Sequence, residues 1–484
     1  MIGSNVDTRE HSYREVTMTP RAGIMKFGSI VLSVAVLAVI GASFSDDVWS
    51  QTARLAARDP GVRPGPVSRD LKLPGLTSAE QRAFDVGLEA FQEVASVKGT
   101  IPETEAGLGP RFNLDSCGGC HIQPVVGGSS PAINPQVEVA KKERAHNEIP
   151  SFIKRDGPIR EARFKLNPDG TPDGGVHALF TISGRDDAPG CFLQQPDFRG
   201  AVARQNVVFR IPTPLFGLGL IESIDDDAIL ANMQSNSGVK QSLGIRGRAN
   251  RLTGRPNTSG NDGTVTRFGW KAQNKSLEIF SGEAYNVEQG VTNDLFPHER
   301  DETPNCYFNA TPESQTDLEA QDHLEGLSDV VKFATFMRFL APQTPAHETD
   351  TIVRGKKLFS DIGCAMCHTP MLHTGKSSVA ALQYKEVHLF SDLMLHNMGP
   401  GLADDVSQGG ASGDEFRTAP LWGLGKRIFF LHDGRTKDLL EAIQAHMSDG
   451  NGVYPPSEAN QVTGQFFRLG EIDKQHVLNF LRSL

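Results

Sequence analysis

The sequence carries no excess of positive charge. Its 48 lysines and arginines are outnumbered by 58 aspartates and glutamates, for a formal charge of −10. That balance argues against a nucleic-acid partner, which needs a clustered basic face. Beyond the first 45 residues the chain also lacks any apolar run of the roughly 20 residues needed to span a bilayer. Cysteine is scarce, six in 484 residues, so each one can be followed individually. A chain of this length has room for two or three domains with sizeable cores.

What is present at the N-terminus is a targeting pattern. Arg21 and Lys26 precede an apolar run from Ile30 to Ile40, followed by the small residues Gly41, Ala42, Ser43 and Ser45 and then Asp46 and Asp47. This is the layout of a secretory signal, and the run is short for a membrane span. Residues 1–25 are long for the charged region of a signal, which makes Met18 or Met25 a candidate start. The expectation is an exported, periplasmic protein, with membrane contact only if residues 1–45 stay uncleaved as an anchor.

Residues 46–75 are rich in Pro, Gly and Arg and read as a linker. Thr77 with Glu80 three residues on forms a capping box, and Phe84, Leu88 and Phe91 follow at helical spacing. A loop then delivers "DSCGGCHIQP", residues 115–124. The same order recurs: "TDTIVRGKKLFSDIG" reads as a short amphipathic helix with Ile352, Gly355, Phe359 and Ile362, and runs into "DIGCAMCHTP", residues 361–370. Each motif has a closing helix downstream. The first is "LSDVVKFATFMRFLAP", with Val330, Phe333 and Met337, ending at Pro342. The second is "EIDKQHVLNFLRSL", with Ile472, Val477, Phe480, Leu481 and Leu484. An internal repeat of this kind sets the domain count, with residues 341–351 between the units. The longer first unit holds an irregular insertion, about 125–265, in which "VHALFTISG" and "NVVFRIPTP" read as short strands.

Two C-x-x-C-H motifs carry the chemistry. A zinc ribbon places its C-x-x-C pairs some 15–20 residues apart, whereas these pairs are more than two hundred residues apart in separate repeats. A redox dithiol does not call for a histidine directly after its second cysteine. Covalent haem c does: two thiols add to the vinyl groups and the histidine ligates the iron. Cys117, Cys120 and His121 would hold one haem and Cys364, Cys367 and His368 a second. Cys191 and Cys306 remain. In an oxidising compartment this even pair is expected to form a structural disulfide pinning the insertion, since nothing in their flanks favours a reactive thiol. The acidic run after "IESI" reads as a solvated helix start.

With these motifs in place, the segments "GLGPRFN", "FGLGLIESI", "RFGWKAQ", "SDLMLHNMGPGLAD", "EFRTAPLWGLG" and "FLHDGRTKDLLEAIQAH" together resemble a family of di-haem oxidoreductases labelled thiol oxidoreductases or peroxidases. That family is related to bacterial di-haem cytochrome c peroxidases and to the di-haem enzyme that matures tryptophan tryptophylquinone. The resemblance runs from about residue 76 to the C-terminus. It implies that His446, fourteen residues after His432, is the second axial ligand opposite His368, with Met398 and Met447 as competing thioethers. It implies that Trp270, seven residues before Leu277, lies between the haems, and that Glu288 is an acid/base at the open face of the first haem. Two departures stand out. Phe280 occupies the position of a peroxidase glutamine, and histidine replaces methionine at 446, which should lower the second haem's potential. Both move the chain toward the quinone-maturing relative.

The expected fold is mainly α, with two cytochrome c-like domains, 76–345 with its insertion and 346–484. The expected function is an exported di-haem c-type oxidoreductase of peroxidase type. It would take a small oxidant such as hydrogen peroxide and draw electrons from a small redox protein. An electron carrier with both irons six-coordinate is the alternative, and an exported binding or maturation partner with structural haems is a third reading. The motif reading makes a direct prediction. A pyridine haemochrome assay should return two haems per chain, both retained through acid-acetone extraction. A count of one, or zinc by elemental analysis, contradicts it.

Overall fold

A computed structural model describes residues 56–65, 67, 71–251 and 265–484. The segment expected to direct export, residues 1–45, lies outside them. Among the described residues seven helices have nine or more residues. They are α1 (Ser78–Gln92), α2 (Asp226–Gln234), α3 (Leu277–Gln289), α4 (Asp329–Phe339), α5 (Asp350–Asp361), α6 (Asn460–Arg468) and α7 (Glu471–Ser483). None of the described helices is long and apolar enough to cross a membrane.

The capping box at Thr77 is formed. The Thr77 hydroxyl accepts the Glu80 N–H at 3.3 Å, and the Glu80 carboxylate accepts the Thr77 N–H at 2.7 Å. Helix α1 buries Phe84, Gly87, Ala90 and Phe91 against α4, where the Phe91 ring lies 4.7 Å from that of Phe336 and 5.9 Å from that of Phe333. Each such phenylalanine stabilises the fold by roughly 1.5–3 kcal/mol relative to exposure. The repeat legible in the sequence returns as a second crossing, α5 on α7, with the rings of Phe359 and Phe480 5.3 Å apart. Both crossings occur at a glycine. A Cβ on Gly87 would sit 2.4 Å from the Lys332 carbonyl oxygen, and one on Gly355 2.0 Å from that of His476.

One residue of the closing helix is not where its pattern suggested. Ile472 is 65% exposed. It precedes Val477 by five positions, about 140° around the helix, whereas Val477, Phe480 and Leu481 share the buried face. The acidic run after Ile224 begins α2, with Asp225 at its N-cap.

Among the described residues eight short strands form four antiparallel pairs: β1 (Arg111–Phe112) with β3 (Phe180–Thr181), β2 (Glu161–Phe164) with β4 (Val207–Arg210), β5 (Leu372–His373) with β6 (Glu386–Val387), and β7 (Leu395–Asn397) with β8 (Glu415–Arg417). The first two pairs belong largely to the expected insertion. Cys191 and Cys306 are joined as a disulfide with their Cα atoms 4.6 Å apart. The bridge is buried in a core with Phe112, Leu179 and Phe180.

Residues Ala57–Leu484 pack as one compact unit. The two repeats therefore share one body, and the described part of the 46–75 segment lies against it. The Leu73 N–H donates to the Phe339 carbonyl at 2.8 Å. Lys426 Nζ donates to the carbonyls of Arg63, Pro64 and Gly65. Asp59 pairs at 2.6 Å with Arg482 of α7, both side chains buried. Burial pushes the Asp59 carboxyl up. Hydrogen bonds from Arg482 and from the backbone N–H groups of Gly61 and Leu439 outweigh it and hold the carboxyl below its usual value. Its stabilising contribution is therefore complete above about pH 4 and is lost as pH falls through the lower folded value. Asp59→Ala strands the Arg482 charge in the core and should cost about 3–5 kcal/mol by denaturant titration at pH 7. That difference should shrink toward pH 2.

Candidate functional site

The two C-x-x-C-H motifs each line a cavity of their own. The first encloses about 1170 Å³ and the second about 1480 Å³, each including its mouth onto solvent.

In the first cavity Cys117 and Cys120 begin and end one helical turn, and His121 follows it. The His121 Nδ1–H donates to the Gly128 carbonyl at 3.1 Å, which leaves Nε2 as the nitrogen with a free lone pair. Burial lowers its pKa to about 4, so the ring is neutral at pH 7. Burial also raises the Cys117 thiol to about 12, and the Gln289 amide donates to its sulfur at 3.1 Å.

Glu288 reaches this cavity from the last turn of α3. Gly290 ends the helix at φ 72°, and Gly109 lies so close that a Cβ on it would sit 2.1 Å from the Gly290 carbonyl oxygen. The adjoining strand then takes hold of the helix end. The Asn113 N–H donates to the Glu288 carbonyl, and the Asn113 side-chain amide donates to the Glu288 carboxylate, both at 2.7 Å. Beside it stand Glu161 and Arg163 on β2, one residue apart and so on one face of the strand. Arg163 pairs with Glu161, and Glu161 is hydrogen-bonded to Glu288. Burial, then the Glu161 charge, push the Glu288 carboxyl up to about 8. Phe280, in the glutamine position, also lines this cavity, as does Met337 of α4.

In the second cavity the His368 Nδ1–H donates to the Phe390 carbonyl at 3.1 Å, and the His446 Nδ1–H to the Ala442 carbonyl at 2.7 Å. Both rings therefore keep Nε2 free. Burial lowers both pKa values, that of His368 to about 4. His446 follows the short helix Leu439–Gln444 and lines the same cavity as His368. Met398 lines it too. Met447 is 39% exposed and does not. Among the described residues Cys367, Asp392 and His396 form a group with metal-ligand spacing. His396, however, has its Nε2 on Asp392 and its Nδ1 on Glu458, each at 2.9 Å. Burial works against its charge, but Cys367 and then Asp392 beside it raise its pKa well above the ordinary value. As an imidazolium it has no lone pair for a metal.

Trp270 borders both cavities. It is 8% exposed and its indole N–H donates to the Ile211 carbonyl at 2.9 Å. Its backbone carbonyl accepts the Arg417 N–H, and the Arg417 Nε donates to Gly269 next to it, both at 2.9 Å. The site residues chosen from the sequence all line these two cavities: Cys117, Cys120, His121, Trp270, Glu288, Cys364, Cys367, His368 and His446. Glu161, Arg163, His396 and Arg427 were given no role, and Met337 was read only as a helix-face residue. A visible signal for the first two was the alternation of charge in "REARF", which puts Glu161 and Arg163 on one strand face.

The family described as "Di-haem oxidoreductase, putative peroxidase" matches residues 168–484. The chain belongs to that family. The matched part holds the second motif, Trp270, Glu288 and His446, and the first motif precedes it. Among solved structures the chain is similar to Kuenenia stuttgartiensis hydrazine synthase pressurised with xenon, at 14% identity over 88% of this chain and 97% of that one, with a TM-score of 0.34. It is also similar to a MauG-like protein associated with microbial copper homeostasis, at 18% identity over 56% of this chain and 90% of that one, with a TM-score of 0.28. No curated protein matches.

The residues of this member of the di-haem family fit two haems. Each cavity combines a neutral imidazole with the two cysteines of its motif, and each also presents an arginine with buried unbonded atoms. Nε of Arg160 lacks a partner in the first cavity, and Nε and Nη2 of Arg427 lack one in the second. Arg427 is only 7% exposed. A buried guanidinium left so is costly unless an anion meets it, and a haem propionate is such an anion.

Proposed function

We propose that this chain is an exported di-haem c-type oxidoreductase that reduces a small peroxide at its first cavity and receives electrons through its second. The observation that carries the reading is Trp270, which walls both C-x-x-C-H cavities at once. The repeats are read as two cytochrome c-like lobes, 76–345 and 346–484, within the one compact body. Cys117 and Cys120, and Cys364 and Cys367, would hold the two haems through thioether bonds. His121, His368 and His446 would offer Nε2 to iron, and Arg160 and Arg427 would meet haem propionates.

Bound haem supplies an iron that can take peroxide and pass single electrons. The protein's part is to position and to move protons. Glu288, neutral at pH 7, can donate to the departing peroxide oxygen. Trp270 offers an aromatic bridge between the two centres. Hydrogen peroxide takes up two electrons from a small redox protein and two protons, its O–O bond breaks, and two waters leave. Met337 favours a second reading, because a thioether lining the first cavity could close that site and leave an electron carrier.

Stopped-flow mixing with hydrogen peroxide tests this. Glu288→Gln, with haem content intact, should slow the spectral change roughly 10²–10⁴-fold. If the wild type does not react and Met337→Ala does, the carrier reading holds instead. His446→Ala should convert one low-spin paramagnetic resonance signal to high-spin and leave the other unchanged. If Met398→Ala does so instead, His446 is not the ligand.

A further inference from the structure

The first cavity contains more acid than a single catalytic carboxyl requires. Glu161 and Glu288 come from elements far apart in the sequence, β2 and the end of α3, and their side chains are hydrogen-bonded to each other. Both carboxyls line one buried cavity, where like charges side by side resist ionising together, so one of them keeps a proton. The surroundings decide which. Arg163 pairs with Glu161 through Nε, and Arg210, opposite Glu161 in the β2–β4 register, adds a second positive charge. Glu288 has a neutral amide, Asn113, as its other close partner.

We propose that Glu161 and Glu288 work as one unit holding a single shared proton, with Glu161 the anionic positioning residue and Glu288 the member that carries the proton into the cavity. Such a unit can give a proton to one peroxide oxygen and take one from the other, ending with the charge it began with. This use of the pair rests on the peroxide reading above; the shared proton itself does not. The other titratable groups facing the pair are Glu283, one turn and more earlier on α3, Arg300, which donates to the Val287 carbonyl, and Cys117 and Cys120 of the motif. Burial and the neighbouring charge place the release of the proton at about pH 8, so the unit is loaded throughout the neutral range.

Infrared spectra of the full-length protein with both haems bound, recorded against pH in H₂O and D₂O, read the proton directly. The wild type should show a protonated-carboxyl stretch that titrates away near pH 8, and Glu288→Gln should lack it. In Glu161→Gln the like charge is gone, so the midpoint should fall by about 1–3 units. Arg163→Gln removes the opposite charge and should raise the midpoint, which gives a second arm if Glu161→Gln does not fold. Glu283→Gln should leave the band in place and serves to separate any signal from Glu283. The proposal is overturned if the wild-type band is absent at pH 6 or if the midpoint is unmoved in both the Glu161 and Arg163 variants. Peroxide kinetics on the same samples separate the two ideas. A band that moves as described without any peroxide reaction sinks the peroxidase reading alone, and a peroxide reaction with an unmoved band sinks the pair alone.

Discussion

One carboxylate ties the repeats together. Asp404, from the second repeat, accepts Arg210 at 2.7 Å and Lys271 at 3.0 Å, and all three side chains are almost wholly buried. Arg210 belongs to β4, whose partner β2 carries Glu161 and Arg163. Lys271 is the neighbour of Trp270. The same anion thus anchors the strand behind the acidic pair and the residue next to the wall between the cavities. Burial lowers the Lys271 pKa to about 8 even so, which shows how strongly the site depends on that countercharge. Lys271 also lies 4.0 Å over the Phe416 ring, which stacks on His432 at 4.3 Å. A buried charge cluster is weak evidence for stability and better evidence for a fixed arrangement, and fixing two cavities relative to each other is an arrangement problem.

The cavities differ in kind. The first is lined by three glutamates, three arginines and one imidazole with a free nitrogen on the motif. The second is mostly aliphatic and aromatic, and His368 and His446 are two of the four imidazoles that line it. Low polarity with two nitrogen donors suits a centre that changes charge without binding substrate. Fixed acids and bases suit a centre where protons must arrive on time. The division of labour proposed for them follows from this contrast in lining.

Much of this was legible in the sequence because it is local. The capping box at Thr77, the helices around Phe91 and Phe359, and both C-x-x-C-H turns depend on residues within a few positions of one another. The Cys191–Cys306 pairing was legible by elimination. What the sequence hid is set by tertiary encounter. Glu161 meets Glu288 across 127 positions, and nothing in either flank announces the other. Arg427 stands out only once its guanidinium is seen to be buried without a partner. His396 lies in a recognisable segment, yet its raised pKa comes from Cys367 and Asp392, which only the fold brings beside it. Residues 46–75 read as a linker by composition, and Asp59 becomes a core residue only because Arg482 of the last helix pairs with it.

The close approach of Gly109 and Gly290 has a consequence for how this chain can change over generations. Backbone touches backbone there, and a methyl group on either residue would force the end of α3 away from the strand that orients its acid. The position of the carboxyl is therefore inherited through two residues that have no side chains at all, 181 positions apart. A lineage that kept the glutamate but lost either glycine would keep the reagent and misplace it. Tolerance to substitution should be lower at this silent pair than at many residues that line the cavity, and the two should drift together or not at all.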